Sequence, residues 1–341
     1  LVQSYADPAV WNIVGEDVND VKGYLLAYVD DFLITSESDI VESLQKHIGE
    51  MWKTSTQTTI SAKHPGTIKY LSIDISIEQS GRTTLGQHQY CQEMLEKWTM
   101  DSCKGANFIN LDKEEFDVGA QDEEENYPGR ESDVKLAQKL NGGLMWLATR
   151  TRPDIAYAVS RVGSAVTTHP KTAIVYGKKI LRYLAASRKC GLVYEPRQDE
   201  DTDIMVETFA DASLDDLRTT TGVVTYVGGA LVDWRSTKQQ VGSFSTCEAE
   251  VNALAMGEAM NGALVATIES MGRRCKAILY GDNQAANQIS ESRGTWKTRA
   301  LSVKVTAIRT RIRRGLLDLR YVSTKQQRAD GLTKCGGVDH N

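Results

Sequence analysis

Four acidic residues in the C-terminal part of the chain stand where predicted strands or helices begin or end. They are Asp211, Glu248, Asp282 and Asp330. Side chains at the ends of elements converge on one edge of a sheet, so these carboxylates are candidates for a shared site. Carboxylate oxygens suit Mg²⁺, and two such ions together can activate a water and stabilise the leaving oxygen in phosphodiester cleavage. Taken singly, each residue is also an ordinary cap or solvated turn residue.

The helix after Ser245 offers two glutamates, Glu248 and Glu250. At about 100° per residue, the two side chains point roughly 200° apart. Only one of them can therefore face the sheet edge beside Asp211, and the spacing alone leaves the choice open.

The elements that would position these acids follow from hydrophobic periodicity. The pattern predicts strands at 204–211, 220–227, 230–236, 277–281 and 318–323, and helices at 247–270, 283–291, 300–314 and from about 327. Upstream it predicts a hairpin at Asp30-Asp31, a helix at 39–52, a half-buried strand at 68–77, a helix at 87–100, and a helical segment at 133–186 broken near Thr151-Arg152-Pro153. The fold class is therefore α/β and α+β.

The polar stretch 196–203 is the preferred domain boundary. The resulting division is 1–100, an acidic insertion or linker at 101–132, a helical region at 133–200, and a last domain at 204–336. The chain has 341 residues and starts with Leu1, which suggests a piece of a longer polypeptide. Without an uncharged apolar run of about 18 residues, we expect no membrane span.

Cysteine usage and charge narrow the classes of function. The six cysteines form no Cys-x-x-Cys pair, which argues against a zinc site or a disulfide framework and favours a reducing compartment. The net charge of −5 hides two blocks: nine acidic and two basic residues lie between 112 and 131, whereas twelve basic and three acidic residues lie between 291 and 334. The basic block is expected to contact a phosphate backbone. Its nucleic-acid-binding candidates are Lys297, Arg299, Lys304, Arg309 and Arg313.

Five motifs follow one another in this part of the chain. They are Ala210-Asp211-Ala212-Ser213, Asp233-Trp234-Arg235-Ser236-Thr237-Lys238, Ser245-Thr246-Cys247-Glu248-Ala249-Glu250, Gly281-Asp282-Asn283-Gln284, and Ala329-Asp330-Gly331-Leu332-Thr333-Lys334. In this order they resemble the ribonuclease H (RNase H) domain of copia-type LTR retrotransposon Pol polyproteins. The resemblance implies an RNase H-like mixed five-stranded sheet, dependence on Mg²⁺ with Mn²⁺ as a substitute, and hydrolysis of RNA in an RNA–DNA hybrid. Carried over, the catalytic metal ligands are Asp211, Glu248, Asp282 and Asp330, with Glu248 preferred to Glu250.

One position departs from the family pattern. The family usually has a His in the basic helix, where this chain reads Trp296-Lys297-Thr298-Arg299-Ala300, and no His occurs between 170 and 339. One alternative is therefore a decayed, inactive remnant that at most binds nucleic acid. Another is a host-recruited interaction module docking through 112–131.

The N-terminal part resembles the reverse-transcriptase palm of the same polyproteins through Tyr28-Val29-Asp30-Asp31. Asp30 and Asp31 would be metal ligands of a polymerase remnant; the alternative is a surface turn. The segments 144–158 and 179–184 resemble the region between polymerase and RNase H, a helical thumb or connection. No earlier palm motif precedes Tyr28, so we expect no polymerase activity from this chain alone.

The resemblance also implies the chain's partners. These are an RNA–DNA hybrid, a nucleic-acid primer–template, and the rest of the Pol polyprotein, without membrane or zinc. Five basic residues could contact primer–template or be solvated charges: Arg150, Arg152, Lys178, Lys179 and Arg182. The expected location is intracellular, in a cytoplasmic virus-like particle, with nuclear entry left open.

Overall fold

The computed structural model describes residues 1–54, 57–111, 126–196, 203–214, 219–239, 243, 245–292 and 301–334. The first sheet contains β1 (Val2–Gln3), β2 (Val10–Val14), β3 (Val21–Tyr28) and β4 (Asp31–Thr35), all antiparallel and in chain order. Tyr28 pairs with Asp31, so the predicted hairpin is confirmed. Val29 takes a positive φ of 53° in its two-residue turn. Helix α1 (Ser38–Met51) follows.

A second antiparallel sheet contains β5 (Gly66–Tyr70), β6 (Ile73–Ile77), β7 (Thr83–Gly86) and β8 (Leu192–Tyr194). The single strand predicted at 68–77 is therefore wrong. Leu71 and Ser72, with φ of 49° and 65°, form a two-residue turn between two strands. Such turns normally carry Gly, Asn or Asp, and the absence of these residues hid the reversal.

Helices α2 (His88–Lys97), α3 (Arg130–Arg150), α4 (Ala156–Gly163) and α5 (Pro170–Ala186) form a helical layer. The break predicted near 151–153 is confirmed by a 3-10 turn at Pro153–Ile155, and a second break separates α4 from α5. At the first break, Arg152 is buried and pairs with Asp154 at 2.7 Å. The Arg152 guanidinium also donates to the Ser187 carbonyl at 2.9 Å.

The third sheet has five strands and is mixed, as predicted. Its strands are β9 (Ile204–Leu214), β10 (Thr219–Val227), β11 (Ala230–Lys238), β12 (Cys275–Gly281) and β13 (Asp318–Tyr321), in the spatial order β11-β10-β9-β12-β13. Strands β9 to β11 are antiparallel, whereas β12 and β13 run parallel to β9. Helices α6 (Thr246–Ser270), α7 (Gln284–Glu291) and α8 (Ser302–Arg313) follow in the predicted order. The last predicted helix is reduced to 3-10 turns at Thr324–Gln326 and Asp330–Leu332.

The two faces of this third sheet are buried in different ways. One face packs under α6, α7 and α8 through residues such as Ala210, Leu254 and Leu279. The other shares a continuous core with the helical layer, in which Phe209 and Val224 of the sheet belong to the same buried cluster as helices α3 to α5. Alternation of side chains along β9 explains how one strand serves both cores.

Polar contacts fasten the third sheet to the rest of the chain. The Trp234 indole N–H donates to the Ala148 carbonyl of α3 at 2.6 Å. The N-terminal sheet meets the end of α6, where the Asn12 amide donates to the Ser270 carbonyl at 2.7 Å. None of the helices in the described ranges is long and apolar enough to cross a bilayer.

Candidate metal centre

Two of the predicted acids, Asp211 and Asp282, lie side by side. Strands β9 and β12 are adjacent and parallel, and Ala210 pairs with Gly281. Asp211 is the next residue on β9, and Asp282 is the first residue after β12. The register of two parallel strands therefore brings both carboxylates to the same edge of the sheet.

Glu250 is the third acid of this cluster. One carboxylate oxygen from each of Asp211, Glu250 and Asp282 lies within 4.8 Å of the others. Glu250 lies in the second turn of α6, which packs on β9, and its carboxylate accepts a hydrogen bond from the Ala212 backbone N–H. These three residues, called the acidic cluster below, come from three different elements.

The structure corrects the preference for Glu248. Ser245 is the N-cap of α6, and its Oγ accepts the backbone N–H of Glu248 at 3.2 Å. Ser245-x-x-Glu248 thus has the spacing of a capping box, which gives Glu248 a place in helix initiation rather than in the cluster. Glu250 lies on the opposite side, which faces the sheet.

A signal for Glu250 was present in the sequence. Buried positions on α6 recur at helical spacing: Glu250, Ala253, Leu254, Gly257 and Asn261. They form one stripe facing the sheet, and Glu248 is not on it. Glu250 is the acid on this buried stripe, so it is the one that the helix places against the sheet.

Asp330 lies beside the acidic cluster but is not one of its three members. It begins the last 3-10 turn, and its Oδ1 lies 2.5 Å from the Lys334 ammonium. Its negative charge nevertheless contributes to the raised pKa of Asp211. Asp330 is therefore a neighbour of the acidic cluster, and its carboxylate is ion-paired with Lys334.

Hydroxyl donors from the C-terminal turns orient the cluster, and sequence reasoning missed them. The Thr333 hydroxyl donates to Asp211 Oδ2 at 2.5 Å, and the Thr324 hydroxyl donates to Asp282 Oδ2 at 3.0 Å. Thr333 is almost fully buried. Each hydroxyl contacts a single oxygen, Oδ2, of its carboxylate. Thr333 belongs to a quoted family motif, but its role required the geometry.

The electrostatics of the cluster disfavour full ionisation. Burial raises the pKa of Glu250 to about 8, and the charges of Asp211 and Asp282 add to the effect. Burial also raises the pKa of Asp211, which the Thr333 hydrogen bond partly opposes. A divalent cation relieves such repulsion, and a donor set made only of carboxylate oxygens suits Mg²⁺ or Mn²⁺ better than zinc. The residues present therefore fit the predicted metal.

The remaining predicted site residues lie apart from the cluster. Asp30 and Asp31 are exposed at the hairpin of the first sheet, and among the described residues they belong to no group of three metal-ligating side chains. On α8, Lys304 donates to Asn252 at 2.5 Å, Arg309 donates to the Ile289 carbonyl at 2.7 Å, and Arg313 is exposed. Lys297, Arg299 and Ala300 lie outside the described residues, as does most of the acidic block, 112–125.

Solved structures similar to this chain include two RNase H domains. The N-terminal RNase H domain of a Mycobacterium tuberculosis protein is 16% identical, with a TM-score of 0.31, and the match covers 38% of this chain and 91% of that one. RNase H1 of Halobacterium salinarum is 18% identical, with a TM-score of 0.30, over 38% of this chain and 93% of that one. No protein-family model matches the chain.

Sequence relatives extend over most of the chain. The Pol polyprotein of transposon RE1 from Arabidopsis thaliana is 25% identical over 324 residues, 91% of this chain, and that of TNT 1-94 from Nicotiana tabacum is 26% identical over 347 residues, 98% of it. This chain spans 20% and 24% of their lengths. An uncharacterized mitochondrial protein of Arabidopsis thaliana is 30% identical over 240 residues, covering 68% of this chain and 90% of that protein. The chain belongs to the family of the retrovirus-related Pol polyproteins of copia-like transposons.

Proposed function

We propose that the chain hydrolyses the RNA strand of RNA–DNA hybrids, with Mg²⁺, or Mn²⁺ in its place, held by Asp211, Glu250 and Asp282. The observation that carries the proposal is the convergence of these three carboxylates, from three separate elements, within 4.8 Å. Three carboxylates this close repel one another, which costs free energy, and a role that depends on a bound cation explains why they are kept together. Asp330 is the proposed fourth acid at the edge of the same site.

Bound divalent ions would supply the activation of a water and the stabilisation of the leaving oxygen. The chain's own residues prepare the site. Thr333 and Thr324 fix the orientation of Asp211 and Asp282, and Lys334 balances the charge of Asp330. Because the pKa of Glu250 is raised to about 8, its carboxyl group must lose a proton before it serves as a ligand at neutral pH.

The basic block supports a nucleic-acid substrate. Lys304 and Arg313 are exposed on α8, and with Arg309, Lys297 and Arg299 they remain the proposed backbone contacts. Selection of the hybrid would come from duplex shape and the RNA 2′-hydroxyls rather than from base sequence. Affinity would fall steeply with salt, because phosphate contacts release counterions. The rest of the Pol polyprotein and a primer–template are the proposed further partners, and a virus-like particle the proposed location.

The test is cleavage of an end-labelled RNA–DNA hybrid by the full chain in millimolar Mg²⁺ and in chelator. Single-stranded RNA and duplex DNA of the same sequence are the substrate controls. We expect cleavage only of the hybrid and only with metal, lost in Asp282→Asn and kept in the matched control Glu248→Gln. Binding without cleavage in both Mg²⁺ and Mn²⁺ would reject the proposal in favour of the decayed remnant that Ala300 in place of the family His suggests.

A further inference from the structure

An ammonium group is paired with the acid at the edge of the proposed metal centre. The Lys334 Nζ lies 2.5 Å from Asp330 Oδ1, and the two residues are four apart in the chain. Both side chains are about half exposed, 50% for Lys334 and 41% for Asp330, whereas Asp211 is buried. The ion pair therefore lies at the solvent-facing rim of the site.

The backbone of the last 3-10 turn fixes this arrangement. The Asp330 carbonyl accepts the backbone N–H groups of Thr333 at 3.1 Å and of Lys334 at 3.2 Å. It also lies 3.0 Å from the Thr333 hydroxyl, which donates to Asp211. Two consecutive residues of one short turn therefore bring a neutral donor to Asp211 and a cation to Asp330.

The charge of Lys334 acts on the whole site and not only on Asp330. The pKa of Lys334 is raised mainly by its hydrogen bond to Asp330. The charges of Asp211 and Asp282 add to this effect. In return, the Lys334 charge partly opposes the raised pKa of Glu250. One ammonium therefore offsets part of the repulsion among these carboxylates, which is a role that a divalent cation can also fill.

Two properties make this ammonium a competitor of a metal ion rather than a permanent partner of Asp330. A lysine ammonium is a strongly hydrated point charge on a flexible stem, and an ion pair this exposed contributes little free energy. A divalent ion that takes the Asp330 carboxylate can therefore displace the ammonium, at a cost in affinity. Because Mg²⁺ keeps several waters and needs only one or two carboxylates, the acidic cluster can hold a first ion without Asp330.

We propose that Lys334 competes with a second divalent cation for Asp330, so that the chain without nucleic acid binds one such ion more tightly than the other. The first ion would use the acidic cluster, and the second would enter only after the ammonium leaves Asp330. The inference rests on the proposed function, because it concerns the metal centre of that reaction. Ion binding can nevertheless be measured without substrate and without cleavage.

The experiment titrates the full chain with Mn²⁺ in the absence of nucleic acid and follows the free ion by its electron paramagnetic resonance signal. Lys334→Gln removes the competitor, and its exposed position makes misfolding of the variant unexpected. A unit charge this close to a divalent ion changes the affinity about tenfold even in high-dielectric surroundings. We therefore expect the second ion to bind about tenfold more tightly in Lys334→Gln, with a smaller change for the first ion.

Three further variants separate competition for Asp330 from a general change of charge. Lys325→Gln is the matched control, because Lys325 is an exposed lysine in the neighbouring turn Thr324–Gln326 and its loss removes the same charge. It should bind both ions as the wild type does. Lys334→Arg keeps a cation and should keep the weak second ion. The double variant Lys334→Gln/Asp330→Asn should lose the second ion, because its carboxylate is gone.

Equal affinities for the second ion in Lys334→Gln and Lys325→Gln would overturn the proposal. An equal gain for both ions in Lys334→Gln would also overturn it, because a through-space effect of charge is not competition for one carboxylate. If the wild type binds Mn²⁺ but does not cleave the hybrid, the proposed function fails while the competition is still judged from the second ion. If the wild type binds no ion, binding by Lys334→Gln supports the competition and its absence overturns it.

Discussion

Replacing Glu250 by Gln should stabilise the metal-free protein while removing its response to Mg²⁺. In the folded chain the pKa of Glu250 is raised from 4.5 to about 8, mainly by burial and then by Asp211 and Asp282. Between these two pH values the folded state binds more protons than the unfolded state. The free energy of unfolding therefore falls as pH rises through this interval, and the stability present below pH 4.5 is lost by about pH 8.

The size of the stabilisation by Glu250→Gln follows from the difference between the assay pH and the unfolded-state pKa of Glu250. One pKa unit corresponds to about 1.4 kcal/mol, so the 2.5 units between 4.5 and pH 7 set an upper limit of about 3 kcal/mol. Because the cluster shares its charge among three carboxylates, we expect a gain of about 1–3 kcal/mol for Glu250→Gln at pH 7 in chelator. The gain should shrink towards pH 4.5, where Glu250 is protonated in both states.

Urea denaturation at pH 5 and pH 8, in chelator and in Mg²⁺, measures both parts of the prediction. A ligand at one hundred times its dissociation constant raises the free energy of unfolding of the wild type by about 2.7 kcal/mol. Glu250→Gln should lose most of this increment. Glu248→Gln is the matched control and should follow the wild type both in the pH dependence of its stability and in its response to Mg²⁺. A Glu250→Gln protein that is less stable than wild type at pH 8 in chelator would refute the reasoning, as would a Glu248→Gln protein that alone loses the response to Mg²⁺.

Three further changes test the contacts around the site and the core. Thr333→Val removes the donor to Asp211, so we expect 10–100-fold slower hybrid cleavage. The acidic limb of the pH–rate profile should move to higher pH, because that hydrogen bond lowers the pKa of Asp211. Thr333→Ser should restore both, and an unchanged profile in Thr333→Val would contradict this. Trp234→Phe loses the hydrogen bond to Ala148 and should lower the free energy of unfolding by about 1 kcal/mol in urea, whereas an unchanged midpoint would argue against that contact. Asp154→Ala leaves the buried Arg152 guanidinium without its carboxylate partner and should cost about 3 kcal/mol in the same assay. A loss below about 1 kcal/mol would show that the charge reaches solvent.

The sequence predicted the third sheet well, because its elements are long and strongly periodic. The helix predicted at 247–270 and the strand predicted at 220–227 differ from the structure by one residue at the start. The turn at Leu71-Ser72 was missed because it carries no Gly, Asn or Asp, the residues that mark a two-residue hairpin turn. Strand β8 joins a sheet whose other strands lie more than 100 residues upstream, and such long-range pairing leaves no local pattern.

The acidic cluster was predicted in part. Asp211 and Asp282 were recognised because they end predicted strands, and the parallel register then brought them together. The choice between Glu248 and Glu250 depended on which side of the helix meets the sheet, and the preference for Glu248 followed the family motif rather than the buried stripe that contains Glu250. The hydroxyl donors Thr333 and Thr324 became visible only in three dimensions, because nothing in their local sequence specifies which carboxylate they meet.

The core shared by the helical layer and the third sheet has a consequence for how this chain can be divided. A protein cut at the polar stretch near 196–203 would leave Phe209, Val224 and Leu332 on a face stripped of its covering helices. Exposed apolar patches of this kind drive self-association. The C-terminal piece alone should therefore be prone to aggregate, and the two halves should melt together as one cooperative unit when covalently joined. We therefore expect the buried surface that two parts share, and not a polar stretch between them, to decide whether either part folds alone.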